Sequence, residues 1–401
     1  VCASLLQQVK IIATEIQKGK NKTHNVGLLS GKAGITLLFA YLSKVFPREE
    51  YGQITMDYLD ELADCLANDG LHYNMSWGVA GIAFVFQHLR NMGLLDADDD
   101  LNLSQLDSFI DCGLDYDFKS GNWDPLHGIV GLGIYFLERN KETGEKKYLE
   151  KVVDLLADMS VPIGNHWVWI TPAYKNYHKD NFNFGMAHGM PGVISFLAQV
   201  HRLGIRQGQI ETILMSCIPF LLQYEIIDDP VYCFPGSVEV GRRWDSRTET
   251  RLAWCYGDLG MANALIHSGR ALENDKWKNK GIEIALKTTL RTFKNSSCSD
   301  APFCHGSTGI IHQYHQLYKL TKHDAFESAT QRWLDITMNQ FYKPGEYVGG
   351  YYSALFKEEK KGFELTSQYG LLDGSAGIAL VYLSYFFNIN PDWDLIFLTN
   401  V

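Results

Sequence analysis

Two short motifs bring together two thiols and an imidazole. Cys255 lies in Trp254-Cys255-Tyr256-Gly257, and Cys304 and His305 lie in Cys304-His305-Gly306. Thiolate sulfur and imidazole nitrogen are the donors that Zn²⁺ prefers. Three protein donors leave a fourth position for water or substrate, which is how a catalytic site differs from a structural one. With two thiolates among its ligands, such a site has low Lewis acidity. It suits an incoming thiol, which loses its proton on coordination, better than it suits the activation of water. The His-Glu-x-x-His pattern of hydrolytic zinc enzymes is absent. The bland reading of the same residues is a pair of buried cysteines and a capping histidine.

Further polar residues recur near equivalent places. His188 stands in Ala187-His188-Gly189-Met190-Pro191-Gly192, Asp124 stands four residues ahead of Gly128, Arg251 stands four ahead of Cys255, and Tyr256 follows that cysteine. Addition of a thiol to an activated alkene needs a base or proton relay, a cation for the enolate and an acid for the α-carbon. His188, Asp124, Arg251 and Tyr256 are the residue types that supply them. Each also has a structural reading: Asp124 as a helix cap, Arg251 as its ion-pair partner, Tyr256 as packing. His127 and Trp77 are further lining candidates, whereas His24, His72, His166 and His178 read as structural or exposed.

What positions these residues is a repeat. A Gly-x-x-Gly element occurs seven times, beginning at Gly31, Gly78, Gly128, Gly189, Gly257, Gly306 and Gly374. The interval is roughly fifty residues, a period typical of repeat architectures. Each element opens an apolar run, such as Ile35 to Leu42 or Ile378 to Leu383, that is apolar nearly all round and so predicts a buried helix. Between these runs lie segments with one apolar stripe: Met56, Leu59, Leu62 and Ala63; Leu149, Val152, Val153 and Leu156; and the stretches 275–293 and 326–341. Seven hairpins of one outer and one inner helix predict an all-α fold, an α/α toroid of two concentric rings in a single domain over residues 1–401. All seven glycine turns are expected at the cavity mouth. Insertions expected at 160–184, 224–251 and 342–371 carry aromatics, Gly and Pro, including Trp167, Trp169, Tyr174, Tyr177, Tyr232 and Tyr347. They predict long loops with short strands that either grip a peptide or pack upon themselves.

Composition removes several classes. The chain of 401 residues has a formal net charge of −10 and no long basic run, so nucleic acid is not an expected partner. No apolar stretch approaches the ~20 residues of a membrane-spanning helix. Eight cysteines without a Cys-x-x-Cys pair argue for reduced thiols in a cytoplasmic protein. A glycosidase on a similar toroid would need paired carboxylates. Asp124 and Asp258 are the tempting pair, and that reading leaves Cys304-His305 without a role.

The order Trp-Cys-Tyr-Gly, then Cys-His-Gly, with Ala187-His188-Gly189 and Asp124 ahead of Gly128, resembles the lanthionine synthetase C-like, or lantibiotic cyclase, family across essentially the whole chain. The resemblance implies a zinc enzyme that adds peptide cysteine thiols to dehydroalanine or dehydrobutyrine, forming lanthionine or methyllanthionine rings. Cys255, Cys304 and His305 would bind Zn²⁺, and His188, Asp124, Arg251 and Tyr256 would complete the active site. It also implies a dehydrated precursor peptide as substrate and a separate dehydratase and exporter as partners. The default expectation for the chain is a monomer, recruited to a membrane-associated complex without an anchor of its own. Relatives outside peptide biosynthesis leave a second reading, a protein that binds glutathione or adds it to dehydrated residues.

Overall fold

The protein is described from a computed structural model, for residues 2–68, 70–96, 101–173, 179–242, 249–357, 359, 361–387 and 389–400. Tyr174, Tyr177 and His178 lie outside the described residues. Fourteen α-helices follow one another among the described residues: α1 (Cys2–Lys18), α2 (Lys32–Val45), α3 (Tyr51–Asn68), α4 (Val79–Asn91), α5 (Leu103–Ser120), α6 (Ile129–Thr143), α7 (Lys147–Met159), α8 (Met190–Arg202), α9 (Gln207–Leu222), α10 (Asp258–Ala271), α11 (Asp275–Thr288), α12 (Ser307–Thr321), α13 (Asp324–Ile336) and α14 (Ser375–Phe386). Every even-numbered helix begins at a Gly-x-x-Gly element, so the predicted alternation of seven pairs is present.

The two helix types differ in burial as their sequences require. In α2, all residues from Ala33 to Leu42 are buried, and in α4 all from Val79 to Leu89. In α7 only Leu149, Val152, Val153 and Leu156 are buried, which is the predicted stripe. The stripe of α3 is rotated from the prediction. It buries Thr55, Tyr58, Leu59 and Leu62, while Met56 is exposed. Tyr58 stacks on Phe39 of α2, and the larger ring takes the inward position. The stretch predicted to run to Phe293 stops at Thr288. The last predicted outer helix, α13, passes into one π-helical turn at Thr337–Phe341.

Contacts divide the chain into two compact units, one of Val1–Gly113, Ser299–His315 and Glu327–Trp393, the other of Leu114–Cys298, Gln316–Phe326 and Asp394–Val401. In the first, α2 packs on α3, α4 and α14; in the second, α8 packs on α6 and α10, and α10 on α11. Among the described residues six short strands pair in antiparallel ribbons: β1 (Val161–Ile163) with β2 (His166–Val168), β3 (Asn181–Asn183) with β4 (Ser237–Glu239), and β5 (Ser353–Lys357) with β6 (Gly362–Thr366). All six fall in the three predicted long-loop regions. Most loop aromatics there pack inward. Trp169 is fully buried and donates its indole N–H to the carbonyl of Leu156, and Tyr351 bonds Tyr382. Trp167, Phe356 and Phe363 are exceptions, at 49%, 60% and 58% exposure. Among the described residues no helix is long and apolar enough to cross a membrane.

The glycine turn has a specific cause. The first N–H groups of a helix lack intrahelical partners, and here no side chain caps them. The chain instead folds back so that its own carbonyls do. Val79 donates to the carbonyl of His72 at 2.8 Å and Ala80 to that of Tyr73; Ser307 and Thr308 donate likewise to Asp300 and Ala301. The loop thus lies directly against the helix start. A Cβ on Gly78 would sit 1.9 Å from the His72 carbonyl oxygen, and one on Gly377 1.9 Å from that of Leu371. Space, rather than backbone angle, demands glycine at these two positions. Gly257 needs it twice over, since its φ is 126°. Gly78→Ala is therefore expected to lower stability by about 1–3 kcal/mol through forced displacement of the loop. Gly52→Ala, with nothing near its added methyl, should stay within about 1 kcal/mol of wild type. Thermal unfolding of the two variants side by side measures the difference.

Candidate active site

Because the turn recurs at the start of every inner helix, residues at equivalent offsets from the first glycine form sets. Two residues ahead stand Leu29, Ser76, Leu126, Ala187, Cys255, Cys304 and Leu372; one residue ahead stand Ser30, Trp77, His127, His188, Tyr256, His305 and Asp373. Within each unit the first set is stitched by main-chain bonds. Leu29 donates to Ser76, Leu372 to Leu29 and Cys304 to Leu372 in one unit, and Ala187 donates to Cys255 in the other. Each bond runs from one repeat to the next. The second set therefore brings its side chains into neighbouring positions.

In the second unit this places His127, His188 and Tyr256 in a row. The rings of His127 and His188 lie 5.5 Å apart, and those of His188 and Tyr256 6.4 Å apart. Asp124 sits beneath them, its Oδ1 accepting the N–H groups of Leu126 and His127 at 2.8 and 2.9 Å. Its Oδ2 accepts from His188 Nδ1 at 2.8 Å. The carboxylate thus fixes the tautomer, with the proton on Nδ1 and Nε2 left as the acceptor nitrogen of His188. Burial pushes the His188 imidazole down, but the bonded Asp124 carboxylate, helped by Cys255, outweighs it and raises the group above its ordinary value. Burial would raise Asp124, and the bond to His188 holds it below the usual carboxylate range instead. Burial lowers His127, only partly offset by Asp124. Asp124, His127 and His188 also have ligand atoms within 4.8 Å of one another, so they could hold a cation. Both Asp124 oxygens are already engaged by hydrogen bonds, which favours a proton-handling arrangement.

The Trp-Cys-Tyr-Gly motif is held from both sides. Trp254 is buried and donates its indole N–H to Phe397, and the Cys255 carbonyl accepts from Ala187. Asp258, at the start of α10, accepts N–H groups from Cys233 and Phe234 and lies 3.8 Å from the buried Arg291. Burial raises its carboxyl to about 6 despite Arg291. It anchors the loop from a fully buried position, which is not that of a substrate-facing carboxylate paired with Asp124. Arg251 is exposed; its main-chain oxygen underlies Gly257. Among the described residues its side chain has no bond to the His188 cluster.

In the first unit, Cys304 and His305 open α12 with their ligand atoms within 4.8 Å of each other. Two acids accompany them, Asp300 buried and Asp373 half-buried. Asp300 Oδ2 lies 3.4 Å from His305 Nε2 and accepts the N–H of Ala354 at 2.9 Å. Asp373 adjoins Cys304 and His305; burial raises its carboxyl, His305 opposes this and Asp300 adds to it. Trp77 is 48% exposed in this unit. The seven described cysteines other than Cys2 take part in no disulfide. Asp300, Asp373 and Asn183 are absent from the residues that the motifs point to. Their signal is the offset itself, since Asp373 directly precedes a turn glycine, and Asp300 and Asn183 stand six residues ahead of one.

The lanthionine synthetase C-like family model matches residues 22–398. The chain belongs to this family. It is 24% identical over 412 residues to the nisin biosynthesis protein NisC of Lactococcus lactis subsp. lactis, covering 95% of this chain and 91% of that one. It is 21% identical over 300 residues to glutathione S-transferase LANCL1 of Danio rerio, covering 73% and 70%. Among solved structures, nisin cyclase superposes with a TM-score of 0.77 at 21% identity, over 98% of this chain and 96% of that one. That likeness shows the fold, the mostly helical toroid of the lanthionine synthetase C-like proteins, as the seven repeats predicted.

Proposed function

We propose that this lanthionine synthetase C-like protein is a zinc-dependent cyclase, adding peptide cysteine thiols to dehydroalanine or dehydrobutyrine to form lanthionine or methyllanthionine in a ribosomally made precursor. The observation that carries this reading is the offset pattern: metal-type donors occupy the stitched positions of repeats five and six, and proton-handling side chains occupy the adjoining offset. Cys255, Cys304 and His305 are assigned as the metal donors on their chemistry, since two thiolates with one imidazole fit Zn²⁺. Asp300 beside His305 is the kind of partner that orients a ligating imidazole.

Zinc, when bound, lowers the proton affinity of an incoming thiol and so supplies a thiolate at neutral pH. The chain's own residues then handle protons and charge. Sulfur attacks the β-carbon of the dehydrated residue, the S–Cβ bond forms, and the electron pair moves to the enolate oxygen. Arg251 supplies positive charge to that oxygen. His188, held by Asp124, and Tyr256 deliver the proton to the α-carbon. The thiol gives up one proton and the α-carbon gains one, so the product has the mass of the substrate. Dehydrated residues are not made by this chemistry; a separate dehydratase supplies them and an exporter removes the product.

The glutathione S-transferase relative favours a second reading, with glutathione as the thiol. A peptide carrying one cysteine and one dehydrobutyrine, incubated with the protein and excess glutathione, separates them. A cyclase consumes the peptide thiol with no change in mass. A glutathione-adding enzyme increases the mass by one glutathione and leaves the cysteine open to alkylation. Neither product above the enzyme-free rate would contradict both readings.

A further inference from the structure

Asn183 ends β3, which is held by its pairing with β4, and its side chain is 1% exposed. The Oδ1 atom accepts the N–H of Gly185 at 2.9 Å. That bond fixes which end of the amide is oxygen, so the other end is an N–H₂ donor. The donor end meets the Tyr256 hydroxyl oxygen at 3.0 Å. Since Asn183 Nδ2 can only donate here, the phenol oxygen is the acceptor, and the phenol's own proton is directed to another partner. The ring of Tyr256 is held as closely as its hydroxyl. It packs against Gly185, where a Cβ would meet its Cδ1 and Cε1 atoms at 2.7 Å. Its centroid stands 6.4 Å from that of the His188 ring.

We propose that Asn183 is a positioning residue for the addition reaction, its amide gripping the Tyr256 oxygen so that the phenol proton is aimed at the substrate's α-carbon. This rests on the role given to Tyr256 above. The bland account of Asn183 is a turn residue. Asn25, at the same offset in the first repeat, makes the same bond from its Oδ1 to the N–H of Gly27 at 2.8 Å. What sets Asn183 apart is the second bond, from Nδ2 to Tyr256.

Asn183→Asp isolates that second bond. It keeps the oxygen that the turn uses, and Asp300 shows that an aspartate is accepted at this offset. It replaces the donor with an acceptor, toward which the phenol proton would turn. Asn183→Ser serves as a second variant, since its hydroxyl can serve the turn but is too short for Tyr256. With the cysteine and dehydrobutyrine peptide as substrate, both are expected to lose about tenfold to hundredfold in kcat, within the range a positioned acid contributes. KM should stay within about twofold, because the peptide's binding contacts are untouched. In a Tyr256→Phe background Asn183→Asp should cause no further loss, and Asn25→Asp should leave kcat unchanged.

Wild-type kcat in both Asn183 variants, with a large loss in Tyr256→Phe, would overturn the inference alone. Multiplicative losses in the double variant would show a structural role and overturn it too. Full activity in Tyr256→Phe would overturn the role of Tyr256 and the inference with it.

Discussion

His188→Asn is expected to reduce ring formation by about a thousandfold, within the range set by loss of a general acid or base. Asparagine keeps a polar side chain at the helix entry but has no group that titrates near neutrality. Asp124→Asn should be nearly as damaging, by a different route. The carboxylate now fixes His188 through Nδ1 and is itself fixed by two main-chain N–H groups. An amide cannot stabilise the imidazolium.

The pH profile reports the cause. In the wild type the bonded carboxylate raises His188 against the lowering effect of burial. Removing that charge leaves burial unopposed except for Cys255, so the imidazole limb of the kcat/KM profile should move to lower pH in Asp124→Asn. The sign does not depend on whether His188 gives or takes the proton. It decides only whether activity falls or rises through that limb. A profile unmoved by Asp124→Asn would contradict the coupling of the two groups.

Cys304→Ala is expected to abolish both zinc retention and cyclisation. Loss of a donor reduces the protein ligands from three to two. Loss of an outer partner alone costs about tenfold to hundredfold in metal affinity, and a ligand must cost more. Cys304 also uses its main-chain N–H to join Leu372, a bond that alanine retains, so the turn should survive. Circular dichroism and the melting temperature in the presence of chelator check that the apo forms of both proteins are alike. Cys112→Ala, removing an exposed thiol, should keep metal and activity. Competition with a zinc chelator measures retention directly. Equal affinity in Cys304→Ala and wild type would remove Cys304 from the metal centre.

Much of this organisation is legible in the sequence because repetition amplifies weak signals. One Gly-x-x-Gly says little, but seven, each starting a run buried on all sides, define the helix pairs. The same repetition makes Cys255 and Cys304 equivalent by their offset from a turn glycine alone. Where prediction fails, a local rule meets a tertiary choice. Helical spacing alone does not decide between Met56 and Tyr58 at the edge of the α3 stripe, and the partner ring Phe39 decides it. Asp300, Asp373 and Asn183 belong to no sequence-local motif. Their partners are residues such as Ala354, Cys304 and Tyr256, brought near by the fold. The β-ribbons are foreseeable only as short strands in long loops, since strands of three to five residues carry too little alternation to be read.

X-ray absorption at the zinc edge tests the central claim most directly, because it counts donor atoms of each kind. The account predicts two sulfur neighbours at about 2.3 Å and nitrogen or oxygen at about 2.0–2.1 Å in the resting protein. Addition of a thiol-bearing peptide should bring a third sulfur. A zinc shell of nitrogen and oxygen only, or correctly folded protein that takes up no zinc, would contradict it.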